Sequence, residues 1–292
     1  MNRIYCYPKL GRAGLGNCLL PWARALIAAR KLSAAVLAPR WVQPRLGALI
    51  RRETKKRFYF AEFSNAGYVR GLHKYAILLG SHRAGESDYS FGGLAANGRR
   101  RPTVIVFEGL RNYFSDIINE RAVLLQELRK IVNEHSIERA DALEVPFIAV
   151  NIRRGDLTNA GWSAERLMTE PRFTPTGWFV EAINAVRQDC RWANLPIKVV
   201  SDGTEAELED VIRLPGCELT STKSAVGDIL MMSRACMIVA SGYSTFSMWA
   251  SYFGQVPTLY YPGKMQQKVF PPGCLVFEGE WLVGQPLPCP LA

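Results

Sequence analysis

The sequence lacks the segments that would direct a chain into or across a membrane. Its first residues hold no long apolar run of the signal-peptide kind, and no stretch of about 20 uninterrupted apolar residues offers a transmembrane helix. It also has no internal repeat and no low-complexity segment. With 48% hydrophobic and 21% charged residues over 292 positions, the composition is typical of a globular protein with enough chain for two modest domains.

Paired cysteines and paired metal ligands are missing as well. The seven cysteines are scattered and never spaced as CxxC, and the three histidines have no metal-ligand spacing. No aspartate belongs to a DxD sequence. This pattern predicts reduced thiols in a cytoplasmic protein rather than a disulfide framework, and it predicts no bound metal or other cofactor.

Positive charge is what the sequence has in excess. Its net charge of +10 favours an anionic partner, which can be a nucleotide, a nucleic acid or a membrane surface. The basic residues cluster in RRETKKR at residues 51–57 and in GRRRP at residues 98–102. Most such runs are solvated faces, and no aromatic residues interleave these two as a platform for single-stranded nucleic acid requires.

Hydrophobic periodicity predicts alternating strands and helices in both halves of the chain. In the first half the predicted strands are residues 3–7, 34–38 and 103–108, and the predicted helices are 15–32 and 116–142. In the second half the predicted strands are 147–150, 197–200, 237–240 and 256–260, and the predicted helices are 176–191, 204–214, 225–235 and 245–253. This alternation predicts doubly wound parallel sheets. Residues 41–98 give no clear pattern.

The densest ionic chemistry follows a predicted buried strand. Residues 145–157, VPFIAVNIRRGDL, join an apolar run to Asn151, Arg153, Arg154 and Asp156. Ligands of open α/β sheets bind at the carboxyl ends of strands, so two adjacent arginines there suggest a site for phosphate or carboxylate. A surface pair between arginine and aspartate is an equally open alternative.

A second strand end carries another anion-binding signal. In MIVASGYSTFSMWASYFG, residues 237–254, a predicted strand ends at Ser241 and a helix begins at Ser244. A helix start presents backbone N–H groups and partial positive charge, although a serine there is by itself more often only a capping residue. Arginine and a helix start would together compensate a diphosphate without a metal. Asp228, on the preceding helix, is either a guanine ligand or a surface or capping aspartate.

Three segments resemble one enzyme family. FIAVNIRRGDL resembles the HxRRxD segment of the inverting fucosyltransferases that use GDP-fucose, a superfamily of bacterial and animal α1,2-, α1,6- and protein O-fucosyltransferases, and is closest to the bacterial α1,2 enzymes. Residues 227–254 resemble the later motif of that superfamily, and GRAGLGNCLLPWA, residues 11–23, is similar to its N-terminal GxGNQ segment. Asn151 stands where the family usually has His, and Cys18 where it often has Gln.

The resemblance implies a GT-B-like α/β fold with two Rossmann-like domains facing a cleft. The predicted domains are residues 1–144, on the acceptor side, and 145–292, which binds the GDP-sugar and whose last residues can return to the first domain. Arg153 would contact the β-phosphate and stabilise the leaving GDP, Arg154 would support the loop through Asp156, and Asn17 would reach across the cleft. The other residues implied in donor binding are Gly16, Asn151, Asp228, Ser244, Thr245 and Phe246.

The expected function is metal-independent transfer of L-fucose from GDP-β-L-fucose to a hydroxyl of a glycan or lipid-linked oligosaccharide, with inversion. Asp156 is the expected general base, with Glu165 and Glu170 behind it, and an Asp156 that serves only in a salt bridge stays open. Two alternatives also stay open: a transferase of the same fold using another GDP-sugar, and a basic nucleic-acid-binding protein. On the first reading no nucleic acid is bound, and the basic runs can serve peripheral contact with an anionic inner membrane.

Overall fold

The structure is a computed structural model that describes residues 3–41, 59, 61–90, 101–155 and 163–288. Its described residues divide into two compact units, the first extending to Asn133 and the second beginning at Glu134. The domain limits predicted at residues 144 and 145 stay a prediction. The basic run at residues 51–57 and the aspartate Asp156 lie outside the described residues.

The first unit is built on a parallel sheet. Its elements are β1 (Ile4–Lys9), α1 (Leu15–Lys31), β2 (Ala35–Val36), α2 (Gly71–Gly80), β3 (His82–Gly85), α3 (Glu86–Ser90), β4 (Thr103–Glu108) and α4 (Arg121–Ile131). The strand order is β2-β1-β4-β3, and all three pairings are parallel. Helix α1 packs on the central strand β1 and is buried along most of its length.

The second unit is also a parallel α/β unit. Its elements are α5 (Glu134–Asp141), β5 (Ile148–Ile152), α6 (Ala164–Thr169), α7 (Thr176–Gln188), β6 (Ile197–Ser201), α8 (Glu205–Ile212), β7 (Cys217–Leu219), α9 (Ala225–Met232), β8 (Met237–Ala240), α10 (Thr245–Gly254), β9 (Thr258–Tyr260) and β10 (Glu278–Glu280). The strand order is β10-β9-β8-β5-β6-β7, with parallel pairing throughout.

Strands β5 and β8 lie at the centre of this sheet, and every residue of both is buried. A parallel sheet is covered on both faces, which explains why β8 is continuously apolar and β5 is apolar except for Asn151, rather than alternating. Val150 and Val239 from the two strands pack with Phe179 and Ile183 of α7 in one hydrophobic core. The predicted α/β class with parallel sheets is therefore confirmed.

The prediction of one helix over residues 116–142 is wrong, because this stretch of the chain contains two helices, α4 and α5, with a break between them. Val132 has an extended backbone and forms an isolated antiparallel bridge with Phe63. Asn133 donates its backbone N–H to the Glu62 carbonyl at 2.9 Å and its Nδ2 to the Ala61 carbonyl at 2.6 Å. These long-range hydrogen bonds replace those that a continuous helix would form at residues 132 and 133. The hydrophobic periodicity of the sequence continues through the break, so the sequence pattern alone predicts one helix.

One further difference concerns a short strand. Residues 256–260 were expected to hold the last strand, but β10 follows β9 and pairs with it at the edge of the sheet. Its sequence, Glu-Gly-Glu, has no strand propensity and so gives no signal. Helix α8 begins with a capping box, which the pattern Thr-Glu-Ala-Glu at residues 204–207 predicts: Thr204 accepts from the Glu207 N–H and the Glu207 carboxylate accepts from the Thr204 N–H.

The described cysteines are all free thiols, namely Cys6, Cys18, Cys190, Cys217, Cys236 and Cys274. Across the part of the chain that the structure describes, no helix combines the length and apolar character needed to cross a membrane. Within the same residues, no cluster of three His, Cys, Asp or Glu side chains is placed to hold a metal ion.

Candidate anion-binding site

Strands β5 and β8 end side by side, and hydrogen bonds join the chain segments that follow them. Asn151 pairs with Ala240 at the end of the parallel ladder. Just beyond, the Arg153 N–H donates to Ser241 Oγ at 2.8 Å, and the Ser241 hydroxyl donates to the Asn151 carbonyl at 3.0 Å. Two sequence motifs that are far apart in the chain thus meet at the carboxyl edge of one sheet, where open α/β sheets bind ligands.

Helix α10 begins at this edge. Its N-cap Ser244 is 3% exposed, and the hydroxyl accepts from the Ser247 N–H at 3.3 Å. Thr245 and Phe246 are half-buried and form the first turn. Because the backbone N–H groups of a first turn have no partner within the helix, the start of α10 carries partial positive charge. The predicted phosphate-binding stretch therefore lies beside the strand end that carries Arg153.

Asn151 is a buried connection between the elements around the site. It is 6% exposed, and its Oδ1 accepts from the hydroxyls of Ser244 at 3.3 Å and Ser247 at 2.7 Å. Its Nδ2 donates to the Val200 carbonyl at 3.2 Å. An amide suits this position because it offers an acceptor and a donor at once. Asn151 thereby fastens β5 to β6 and to the start of α10.

The turn between β8 and α10 packs against a segment that follows a third strand. A Cβ atom on Gly242 would lie 2.4 Å from Cβ of Lys264, so glycine permits this close approach. The Gly242 N–H donates to Thr174 Oγ1 at 3.0 Å. Tyr243 has a left-handed backbone with φ of 50°, and its N–H donates to the Lys264 carbonyl at 3.0 Å. Lys264 follows β9, so the site is built from three neighbouring strand ends.

Lys264 is a functional candidate that the sequence interpretation missed. Its Nζ donates to the carbonyls of Glu170 at 3.1 Å and Phe173 at 2.6 Å. Burial lowers the pKa of Lys264, and the negative charge of Glu170 opposes that shift. The available signal was a lysine in YPGK, directly after a predicted strand of the same sheet. Lys264 adds positive charge to this edge and holds the loop before α7.

The acidic residues expected to serve as a base differ in their suitability. Glu170 Oε1 accepts from Arg172 Nε at 2.5 Å, and this bond, assisted by the charges of Arg172 and Arg153, lowers the pKa of Glu170 despite its partial burial. A carboxylate so engaged is a weak proton acceptor. Glu165 is exposed on α6. Asp156, the expected base, lies outside the described residues, so its role stays a prediction.

Arg154 has a different environment from its neighbour. It is 2% exposed, and its backbone N–H donates to Asp202 Oδ1 at 2.7 Å. Its Nη1 and Nη2 donate to the Arg153 carbonyl at 2.9 Å and to Thr176 Oγ1 at 2.8 Å. The guanidinium lies 4.8 Å from the centre of the Phe173 ring. Burial lowers the pKa of Arg154, and nearby carboxylates oppose that shift. These contacts give Arg154 a supporting role in the loop.

Asp228 lies in the first turn of α9 and is 3% exposed. Its Oδ1 accepts from the Thr222 N–H at 2.6 Å and from the Thr222 hydroxyl at 2.8 Å, and the Ser221 hydroxyl donates to Oδ2 at 3.3 Å. These bonds fasten Asp228 to the loop before α9, on a different element from the turn at Gly242. Helix α9 packs against α10. Contact of Asp228 with a guanine base stays a prediction.

Gly16 and Asn17 lie at the start of α1 in the first unit. Gly16 is buried and Asn17 is half-buried, and the Asn17 N–H donates to the Gly14 carbonyl at 3.1 Å. Cys18 is fully buried, and its thiol lies 3.7 Å from the Gly11 carbonyl and 3.6 Å from that of Ala13. The GRAGLGN turn is thus closed by backbone and thiol hydrogen bonds, and its part in donor binding stays a prediction.

Two parallel α/β units, one with basic strand ends beside a helix start, are features of the GT-B class of glycosyltransferase folds. No protein-family model matches this chain, and no curated protein sequence matches it. Solved structures do match. Fucosyltransferase NodZ from Bradyrhizobium is 15% identical with a TM-score of 0.54, and the alignment covers 91% of this chain and 97% of that one.

Two ligand-bound structures are also similar. NodZ alpha-1,6-fucosyltransferase soaked with GDP-fucose has a TM-score of 0.54 at 15% identity over 90% of this chain and 96% of that one. POFUT1 in complex with GDP has a TM-score of 0.53 at 14% identity over 89% of this chain and 98% of that one. The chain therefore has the fold of these fucosyltransferases, which confirms the predicted fold class.

Proposed function

We propose that this protein is an inverting fucosyltransferase of the hexosyltransferase class, which transfers L-fucose from GDP-β-L-fucose to a hydroxyl of a glycan without a metal or other cofactor. The observation that carries this proposal is the meeting of Arg153, Ser241 and the start of α10 at one sheet edge. That edge belongs to a chain with the fold of fucosyltransferases crystallised with GDP or GDP-fucose.

Charge compensation is the chemical task of this edge. As the bond between fucose and phosphate breaks, the sugar becomes oxocarbenium-like and negative charge develops on the departing GDP. Interactions that are stronger in the transition state than in the ground state accelerate the reaction, whereas interactions of equal strength in both states do not. Arg153 is the side chain proposed to act in this way, with the start of α10 at Ser244, Thr245 and Phe246 binding phosphate through backbone N–H groups.

The remaining donor and acceptor contacts are parts of the same proposal. Asp228 would accept from the guanine, and Asn151 would order the phosphate-binding turn. Gly16 and Asn17 would contribute from the first unit. Asp156 would take the proton from the acceptor hydroxyl, which needs a hydrogen-bond acceptor within reach.

The acceptor and the location are proposed more broadly. A glycan or a lipid-linked oligosaccharide, met in the cytoplasm or at the inner membrane surface, is compatible with the net charge of +10 and with the free thiols of the described residues. This part of the proposal rests on composition and charge.

A donor screen tests the proposed reaction. The full chain is incubated in chelator with GDP-fucose, GDP-mannose or UDP-sugars, and release of the nucleoside diphosphate is measured beside an Arg153→Ala control. We expect GDP release from GDP-fucose that the control lacks. Faster turnover of GDP-mannose would replace the proposal by a transferase of the same fold with another GDP-sugar. Turnover of UDP-sugars alone would refute it.

A further inference from the structure

Helix α2 in the first unit exposes apolar side chains and buries a charged one, which is the reverse of the usual arrangement for a helix in water. Leu72 is 88% exposed, Leu79 is 85% exposed and Tyr75 is 49% exposed. With 3.6 residues per turn, these three side chains lie on one stripe about 60° wide. Lys74 is the only lysine or arginine of this helix, and it is 5% exposed on the opposite side, beside Ile77. An exposed apolar stripe of this kind indicates an apolar surrounding.

The inward lysine leaves positive charge under the stripe. Its Nζ lies 4.9 Å from the centre of the Tyr7 ring and 5.6 Å from that of Tyr75. None of the carboxylates in the described part of the chain forms an ion pair with Lys74. Burial lowers the pKa of Lys74, and the positive charge of nearby Arg40 lowers it further. Lys74 and Arg40 thus place two cationic side chains near each other, and no carboxylate among the described residues pairs with Lys74.

The sequence around α2 is basic and contains no acid. Residues 63–85 hold no aspartate or glutamate. The basic residues before, within and after the helix are exposed, namely Arg70, His73, His82 and Arg83, and the exposed Arg40 lies near Lys74. Apolar residues bordered by cations are typical of helices that lie in a membrane interface, where the apolar side chains enter the acyl region and the cations meet anionic headgroups.

We propose that the outer face of α2 docks on a membrane surface that contains anionic lipids. Leu72, Tyr75 and Leu79 enter the headgroup–acyl boundary, and Arg70 and Arg83 contact lipid phosphates. This assigns the membrane contact, proposed above only from net charge, to one helix. It is independent of the donor reaction, since none of these residues belongs to the second unit.

Charge also distinguishes this occupant from a second copy of the chain. A symmetric contact between two copies of α2 would bring Arg70 and Arg83, at the two ends of one helix, close to those of the other. Like charges facing each other across an interface are unfavourable. An anionic lipid surface instead complements both the leucines and the arginines.

Vesicle co-sedimentation of the full chain tests this proposal. We expect binding to vesicles of phosphatidylcholine mixed with phosphatidylglycerol, weaker binding to phosphatidylcholine alone, and release by salt. The double variant Leu72→Ser, Leu79→Ser should lower the partition coefficient by at least about tenfold. Arg70→Gln with Arg83→Gln should lower it by at least about tenfold on the anionic vesicles only. The matched control Leu282→Ser, Val283→Ser changes two apolar residues of the second unit, 51% and 54% exposed, and should bind as the unaltered chain does.

Two results would overturn the proposal. One is an unchanged partition coefficient in the Leu72→Ser, Leu79→Ser variant, or an equal loss in the control. The other is a dimer in solution that this variant converts to a monomer, which would assign the stripe to a second copy. GDP-fucose hydrolysis without vesicles is measured alongside and should be unchanged in every variant, so failure of membrane docking and failure of the proposed reaction are distinguishable.

Discussion

Helices α1 and α10 both begin after a parallel strand and a glycine-containing turn, but their first turns are held in different ways. The N-cap of α10, Ser244, accepts from a backbone N–H of the helix and donates to buried Asn151. The N-cap of α1, Gly14, has no side chain to do so. Instead, the Leu15 N–H donates to the Tyr59 hydroxyl at 3.1 Å, and the Cys18 thiol donates to the carbonyls of Gly11 and Ala13.

The starts of α1 and α10 therefore differ in the ligand groups that each can bind, although both follow a parallel strand and a turn. The start of α10 adjoins Arg153 and Lys264, so a diphosphate there meets positive charge from side chains and from the helix. The start of α1 offers Asn17 as its polar side chain and Cys18 as a buried thiol. Under the proposed function, the second unit would neutralise the leaving group, and the first unit would supply one orienting contact through Asn17.

The largest expected effect is on folding and concerns Arg154. Arg154→Ala should lower the free energy of unfolding by about 3 kcal/mol or more, because it leaves buried polar partners and a cavity behind. Urea unfolding measures this. Arg213→Ala is the control, since that side chain is 76% exposed in an i,i+4 pair with Glu209 and should matter by less than about 0.5 kcal/mol. Equal losses in both variants would contradict the supporting role of Arg154.

Replacement of its neighbour should separate activity from stability. Arg153→Ala is expected to lower kcat for GDP-fucose turnover by about 10²–10³-fold, the usual cost of losing one donor to a developing negative charge. Its Tm should stay near that of the unaltered chain, because Arg153 is half-buried rather than buried. Steady-state kinetics and thermal unfolding measure the two quantities. Near-normal turnover would remove Arg153 from catalysis.

A smaller effect is expected in the first unit. Asn17→Ala should lower kcat/KM for fucose transfer by about tenfold, the value of one hydrogen bond to a charged group. The Kd for GDP should change less than in Arg153→Ala, because Asn17 carries no charge. Transfer kinetics and GDP titration on the same preparation make the comparison. An equal loss of GDP affinity in both variants would contradict the proposal that phosphate binding belongs to the second unit.

The smallest effect concerns the edge strand β10, away from both helix starts. Burial raises the pKa of Glu278 to about 7, although its Oε2 accepts from the Val269 N–H at 2.8 Å. Its Oε1 has no hydrogen-bond partner among the described residues. An unfolded chain releases this proton near pH 4.5 and the folded chain near pH 7, so folding stability falls as pH rises through that interval and stays reduced above it.

Glu278→Gln should therefore raise Tm above pH 7 and leave it nearly unchanged below pH 4.5. Thermal unfolding across this range measures the difference from the unaltered chain. Glu280→Gln is the control on the same strand, because the Glu280 carboxylate accepts from the Met265 N–H at 3.0 Å and is exposed. A constant difference at all pH values would mean that the carboxyl of Glu278 titrates alike in both states.

Local patterns predicted those parts of the molecule that local physics controls. The run Phe147–Val150 is apolar because a central parallel strand is buried on both faces, and Thr204 with Glu207 forms a cap within four residues. The meeting of Arg153 with Ser241 follows from two strand ends in one parallel sheet. Such features need only short sequence windows and the rule that ligands lie at carboxyl strand ends.

The unpredicted parts depend on contacts distant in sequence. The break after α4 is produced by bonds from Asn133 to residues 61 and 62, and the ammonium of Lys264 is placed by carbonyls of the loop before α7. Helix α2 escaped detection because its exposed side is as apolar as its buried side and its lysine points inward. Periodicity identifies a helix only when its two faces differ.

The proposed diphosphate site is tested most directly by the ratio of GMP to GDP dissociation constants, measured by calorimetry in chelator. In the unaltered chain we expect GDP to bind at least about tenfold more tightly than GMP, because the second phosphate meets Arg153 and the start of α10. In Arg153→Ala the ratio should fall towards one, while Arg213→Ala should keep it. An unchanged ratio in Arg153→Ala would contradict the assignment of the β-phosphate to this edge of the sheet.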